Sequence, residues 1–82
     1  MSAFTYTLVY ERDEDSGDIV ATFPALDLAT QGATLEEARQ MAQEALELHL
    51  EGMIEDGDPL PADVIEIETL TVEIPEPKAA TP

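Results

Sequence analysis

Residues 34–57, TLEEARQMAQEALELHLEGMIEDG, decide the fold, because they form the one long helical pattern in the sequence. Thr34 can accept hydrogen bonds from the free amides of a first helical turn, and Glu37 can reach back to it in a capping box. Gly57 suits the left-handed conformation that ends a helix, and two prolines follow it closely. The sequence therefore predicts a single helix between Thr34 and Gly57.

The hydrophobic pattern predicts that this helix has one apolar face and one acidic face. At about 100° per residue, the apolar face that should pack on a sheet consists of Leu35, Ala38, Ala42, Ala45, Leu46, His49 and Met53. The opposite face consists of Glu36, Glu37, Gln40, Gln43, Glu44, Glu47, Glu51 and Glu55. Because there is no cysteine and no second histidine, we expect His49 to be a packed, hydrogen-bonded core residue. Met41 and Leu48 share a flank outside the apolar face, where they would contact either a partner or the sheet edge.

Short extended segments account for the rest of the predicted fold. Alternation with a period of two predicts strands at 3–10 and 19–23, joined by a turn at 11–18, and a third short strand follows at 28–31. Residues 64–74 are again extended, but their alternation changes phase, so a bulge or break is needed near residues 68 and 69. We favour the half 70–74 as the fourth strand, parallel to the first, because such crossover connections are right-handed. We therefore expect an α+β fold, β-β-β-α-β, with a four-stranded sheet in the order third, second, first, last. The helix should pack on one sheet face.

The composition limits the partners of this chain. Its 82 residues include 3 basic and 19 acidic ones, so the net charge of −16 disfavours direct binding to nucleic acid or an anionic membrane. A basic protein is the natural partner. We expect one domain at 1–74 and a disordered, proline-rich tail at 75–82. The absence of cysteine, of a leader peptide and of a membrane-length apolar run predicts a cytoplasmic protein.

The predicted sheet has one side without a cover. A sheet with one helix leaves one face or edge without a cover, so we expect a homo-oligomer.

The acidic turn at 11–18 offers carboxylates to a divalent cation, but Pro24 stands where a calcium loop needs a glutamate. A solvated turn is therefore favoured. We expect no metal, no cofactor and no catalytic residue.

Four short motifs in combination resemble the N-terminal domain of HicB-type antitoxins and their stand-alone relatives. They are VATFP at 20–24, TQGATLEEA at 30–38, ALELHLEG at 45–52 and DGDPLP at 56–61. The resemblance implies a truncated ribonuclease-H-like sheet and helix without the nuclease residues. It also implies a type II toxin-antitoxin role, in which the protein neutralises a small basic mRNA-cleaving toxin, HicA.

Two departures from the family pattern are visible in the sequence. Leu26-Asp27-Leu28 stands where the family usually has a Leu-Pro-Gly turn. Complete HicB antitoxins also carry a DNA-binding module after this domain, whereas this sequence ends in a short tail, so we do not expect it to bind an operator.

The acidic side of the helix is either a solvated face, as most charge runs are, or a partner-binding surface, and the resemblance favours the second. The residues expected to cover the RNA-binding surface of the toxin are Glu36, Glu37, Met41, Glu44, Glu47, Leu48, Glu51 and Glu55. Two alternatives stay open. One is a stand-alone homo-oligomeric scaffold with no toxin partner. The other, a ribonuclease-H-like enzyme, is disfavoured because the first strand carries no carboxylate for a two-metal site.

Overall fold

The computed structural model describes residues 2–75, and within them a three-stranded sheet packs against one long helix. The elements are β1 (Val9–Arg12), β2 (Ile19–Phe23), a 3-10 turn (Pro24–Leu26), β3 (Leu28–Gly32) and α1 (Leu35–Asp56). The sheet is antiparallel throughout, in the order β1-β2-β3. The predicted α+β class and the predicted helix are therefore confirmed.

The turns of the sheet follow from residues that tolerate a left-handed backbone. Gly17 has φ 77° in the β1–β2 turn, which is closed by the Asp13 amide donating to the Asp18 carbonyl at 2.8 Å. Asp27 has φ 51° directly before β3, a conformation that aspartate adopts more readily than most residues. The short Leu26-Asp27-Leu28 connection is thus made by a 3-10 turn and one left-handed residue.

Both predicted caps of α1 are present. The Thr34 hydroxyl accepts from the Glu37 amide at 3.1 Å, and the Glu37 carboxylate accepts from the Ala33 amide at 3.0 Å. At the other end, Gly57 has φ 75° and donates to the Ile54 carbonyl at 3.1 Å, while the Asp58 amide donates to Met53 at 2.9 Å. Both helix ends are therefore satisfied by local hydrogen bonds.

The core lies between β2 and α1. Ile19, Ala21 and Phe23 are buried on one side of it, and Ala38 and Ala42 on the other. The side chains packed partly against this cluster are Tyr6, Leu8, Leu26, Leu28 and Leu46. This core is small, because three of these five buried residues are alanines, which let the sheet and the helix approach closely.

The buried row on α1 differs from the predicted face. Ala38, Ala42 and Leu50 are buried and Leu46 is half-buried, whereas Leu35 is 57% exposed. These four inward residues are spaced by four, so the row turns gradually around the helix as an i±4 ridge does. The prediction that Leu35 packs on the sheet was therefore wrong, and the burial of Leu50 was missed. His49 is only partly buried.

The sheet face turned away from α1 is mixed in character. Residues that pair directly across antiparallel strands share a face. The register therefore puts Val9, Glu11, Val20, Thr22, Ala29 and Gln31 on that side. Val9 and Val20 are half-buried even there, and Ala29 and Gln31 are exposed. Tyr10, the one aromatic side chain of β1, lies instead on the helix side, since it pairs with Ala21. Within the described strands, the face turned away from α1 therefore has no continuous apolar surface that a second copy would have to cover.

The predicted first and fourth strands need correction. β1 begins at Val9 rather than at residue 3, and residues 64–75 form no strand. The four-stranded sheet, with a last strand beside β1, is thus not found in residues 2–75. A change in apolar phase between Ile67 and Leu70 means that no single register buries both halves of this segment. The predicted tail, apart from Pro75, lies outside the described residues, and no helix within them is long and apolar enough to cross a membrane.

Hydrogen bonds that the sequence did not predict join the segment before β1 to the loop after α1, and we call them the clamp. The Thr7 amide donates to both oxygens of the Asp63 carboxylate at 3.0 Å, and the Thr7 hydroxyl donates to Oδ2 at 2.7 Å. The Tyr6 hydroxyl donates to the Pro61 carbonyl. The hydrogen bond from the Thr7 amide is the main reason that the pKa of Asp63 lies below its ordinary value. These contacts anchor residues 61–63 beside the segment that leads into β1.

Replacing Asp63 with asparagine should change how stability depends on pH. A depressed pKa means that the carboxylate stabilises the fold fully above its unfolded value of about 4, and that this contribution is lost as the pH falls through the lower folded value. We expect Asp63→Asn to unfold more easily at neutral pH and to lose less stability on acidification. Urea unfolding between neutral and strongly acidic pH measures both effects. Asp58→Asn, at an exposed aspartate of the same loop, is the control, and an equal response of both variants would contradict the role of the clamp.

Candidate partner-binding site

The structure places all the predicted partner-binding glutamates on α1 and leaves each of them exposed. They are Glu36, Glu37, Glu44, Glu47, Glu51 and Glu55. At 1.5 Å per residue, the row from the first of these to the last is about 28 Å long. We call it the acidic face of α1. It is long enough to meet several cationic side chains of a partner at once.

The acidic face contributes little to the stability of α1 itself. The helix carries seven carboxylates and one arginine, and no basic residue lies in its last turn, where the helix dipole favours positive charge. Glu47, Glu51 and Glu55 follow one another at i, i+4 spacing, and each such like-charge pair costs about 0.2–0.5 kcal/mol. Glu36 and Glu37 differ from the others, since both lie in the first turn, where the helix dipole favours negative charge. The Glu37 carboxylate also caps the helix by accepting from the Ala33 amide. A cationic partner would relieve the repulsion along the other glutamates.

Met41 and Leu48 form an apolar pair on one flank of the acidic face. They are 44% and 74% exposed, and they lie two helical turns, or about 10 Å, apart. Because both side chains are exposed, packing on the sheet edge does not account for them. We call these two residues the apolar flank of α1.

A groove that the sequence did not predict lies on the opposite flank of the helix. It has a volume of about 500 Å³, and its apolar lining is made by Phe4, Leu46, Leu50 and Ile54. Glu47 and Glu51 of the acidic face form part of its polar rim. Phe4 and Ile54 are about half exposed. The only sequence signal for it is that the i, i+4 row of leucines continues to Ile54, while the contribution of Phe4 depends on long-range packing.

The acidic turn between β1 and β2 uses its carboxylates locally. The Asp13 carboxylate accepts from the Asp15 amide at 3.0 Å, and the Asp18 carboxylate accepts from the Gln31 side chain at 2.8 Å. Within residues 2–75, no group of three or more acidic, histidine or cysteine side chains is arranged to hold a metal ion. The turn therefore has the contacts of a solvated connection.

Comparison with known proteins identifies the family to which this chain belongs. A family model described as "HicB_like antitoxin of bacterial toxin-antitoxin system" matches residues 6–80. The chain therefore belongs to the family of HicB-like antitoxins. This family is not known as an enzyme family.

Two relatives of the same family extend over most of the chain. It is 34% identical over 70 residues to the UPF0150 protein ssr1765 of Synechocystis, covering 84% of this chain and 87% of the relative. It is 37% identical over 67 residues to a UPF0150 protein of Archaeoglobus fulgidus, covering 78% of this chain and 96% of the relative. No solved structure shows significant similarity to the chain.

Proposed function

We propose that this protein is the antitoxin of a type II toxin-antitoxin pair and neutralises a small basic, HicA-like, mRNA-cleaving toxin. The observation that carries the proposal is the acidic face of α1, which is exposed in a chain that belongs to the family of HicB-like antitoxins. A toxin that grips RNA must present positive charge to phosphates. The acidic face offers a comparable row of negative charge, and binding there would cover the surface that RNA occupies.

Charge by itself does not account for tight inhibition. Exposed ion pairs contribute only about 0–1 kcal/mol each, whereas tightly bound interfaces depend on a few buried apolar anchors. Met41 and Leu48 are the anchors proposed here, because they are exposed and adjoin the acidic face. The glutamates would then steer the toxin into place, and the apolar flank would retain it.

Neutralising Glu44, Glu47 and Glu51 together should slow association with the toxin. At low salt we expect the triple Gln variant to associate about 10-fold more slowly or worse, since electrostatic steering raises association rates by 10–10³-fold. The difference should shrink as salt rises, because the charges become screened. Stopped-flow or biosensor kinetics with the small basic protein encoded beside this chain's gene would measure it.

A matched control separates the acidic face from the overall charge. Changing Asp13, Glu14 and Asp15 to their amides removes three negative charges from the β1–β2 turn, the same number that the helix variant loses. We expect this variant to lose less association rate than the helix variant. If the helix variant associates at the wild-type rate at low salt, the acidic face is not the steering surface.

Met41→Ala and Leu48→Ala should instead speed dissociation, since loss of an anchor acts on that step.

Self-association belongs to the same proposal. A domain of this length buries only about 60% of the surface its unfolded chain exposes, so association of copies would supplement a small core. Light scattering at high micromolar concentration should give at least twice the 8.9 kDa of one chain. A monomeric mass would contradict this part of the proposal.

Two other functions predict different observations from those expected of an antitoxin. A stand-alone scaffold would have no small basic protein encoded beside its gene and would form oligomers without binding a toxin. A ribonuclease-H-like enzyme would show metal-dependent cleavage of RNA that disappears when a single carboxylate is replaced. We propose no catalysis, because β1 carries Glu11 on the mixed face, away from the helix, and has no second carboxylate.

A further inference from the structure

Residues 64–74 have the character of a strand without a sheet. Their large apolar side chains are Ile65, Ile67, Leu70, Val72 and Ile74, which are 61% or more exposed. The backbone there pairs with no strand of the described fold. An extended segment with an exposed apolar row is a ready partner for a free sheet edge. We call residues 64–74 the C-terminal segment.

The same protein has a free sheet edge next to exposed apolar surface. β1 is an edge strand, and α1 packs mainly on β2 and β3, which leaves the helix side of β1 open. Tyr10, on that side, is 37% exposed. The groove lined by Phe4, Leu50 and Ile54 begins beside the residues that lead into β1. A strand added to this edge would therefore cover apolar side chains as well as pair with backbone groups.

We propose that the C-terminal segment of one copy pairs with the free edge of β1 in a second copy, and that the exchange is reciprocal. Leu70, Val72 and Ile74 share one side of an extended segment, so in the complex they would pack together over Tyr10 and towards the groove. This proposal rests on the self-association proposed above and specifies its route. It would restore, between two chains, the fourth strand that a single chain lacks.

Reciprocity is the reason to assign the edge to a second copy. Each chain presents both an unpaired strand and an unpaired edge, so a two-fold dimer satisfies both at once with no further surface. The clamp between Asp63 and Thr7 holds the start of the C-terminal segment near β1, yet the segment leaves the β1 edge of its own chain open. A cationic toxin is suited to the acidic face of α1, whereas the row of Leu70, Val72 and Ile74 needs an apolar surface.

The area involved is sufficient for a stable dimer. Burying a Val, Leu or Ile side chain removes roughly 100 Å² of apolar surface from water. Two rows of three such side chains, together with the surfaces that they cover, amount to roughly 1,200 Å², which lies at the lower end of the range for specific interfaces. Hydrogen bonds along the β1 edge would add to this.

Disulfide trapping can test the exchange directly, because the chain has no cysteine of its own. Tyr10→Cys protein is refolded together with Leu70→Cys, Val72→Cys or Ile74→Cys protein, and each mixture is then oxidised. The three mixtures sample different registers between β1 of one copy and the C-terminal segment of the other. We expect one or two of these mixtures to give a disulfide between the two different variants, identified by peptide mass. Thr71→Cys, with the opposite parity, is the control and should not cross-link. If Thr71→Cys cross-links as well as the others, or if none of them does, the proposal is wrong.

A double variant separates exchange from closure within one chain. Tyr10→Cys combined with the best cross-linking partner should form dimers linked between chains. An internal disulfide in a monomer would mean that the segment folds onto its own sheet, which would overturn the proposal.

Light scattering of Val72→Pro provides a second measurement that needs no cross-link. Proline removes a backbone donor and is excluded from paired strand interiors, so we expect the dimer mass to fall to the monomer mass. Val72→Ile, which keeps the strand character, should remain dimeric. If Val72→Pro stays dimeric while folded, self-association survives but strand exchange is excluded, so the two failures are distinguishable.

Discussion

Replacing Phe23 with alanine should lower the free energy of unfolding by about 3–5 kcal/mol, because the change removes a buried ring and leaves a cavity. Phe23 is 3% exposed and lies among Ile19, Ala21 and the helix alanines. Half of the buried apolar residues in the described core are alanines, so little neighbouring side chain is available to fill the space. A chain of this length has roughly 4–12 kcal/mol of total stability, so the variant should lose at least about a quarter of it.

The other phenylalanine provides a matched control for this prediction. Phe4 is 46% exposed and borders the groove rather than the core. In dilute solution, where copies stay apart, Phe4→Ala should cost less than half as much as Phe23→Ala. Chemical denaturation followed by circular dichroism measures both variants. Equal losses, or a loss below about 1 kcal/mol for Phe23→Ala, would show that the core is not centred on β2.

Replacing Gly32 with alanine should destabilise the protein by about 1–3 kcal/mol through overpacking. A methyl group there would lie 2.5 Å from the Ala38 backbone nitrogen and 2.9 Å from the Glu37 carbonyl carbon. Both contacts are with helix backbone, which cannot rotate away as a side chain would. The first turn of α1 would have to move from β3, and this would disturb the Thr34 cap and the adjacent core alanines.

Gly52 offers a control with the opposite expected sign. It lies inside α1, and a methyl group there would meet nothing within 4 Å outside the local helix backbone. Gly52→Ala should therefore stabilise the protein by about 0.5–1 kcal/mol, since alanine loses less backbone freedom in a helix. Thermal unfolding of the two variants should shift in opposite directions. A stable Gly32→Ala protein would mean that β3 and α1 do not approach as closely as the structure has them.

The sequence by itself determined the parts of this protein that depend on neighbouring residues. Thr34 and Gly57 bound the helix because their side-chain or backbone preferences act within one turn, and Gly17 closes the β1–β2 turn for the same reason. The strand Ile19–Phe23 also appears where alternation predicted it. The exposure of the acidic glutamates was predictable because unpaired carboxylates are strongly disfavoured in a core. The family model matches residues 6–80, a range that contains all of these segments.

Only the tertiary structure decided the features that depend on how distant segments meet. Leu50 is buried and Leu35 is exposed because the inward residues of α1 follow i, i+4 spacing and so turn around the helix, and helical periodicity does not give the direction in which a helix packs on a sheet. Thr7 and Asp63 are joined although 56 residues separate them. Residues 64–74 are the longest stretch whose pairing the sequence leaves undecided. Alternation shows that a segment can pair as a strand, but not which sheet edge it pairs with. Strand pairing is satisfied by a partner in space, and the sequence of one chain does not specify where that partner lies.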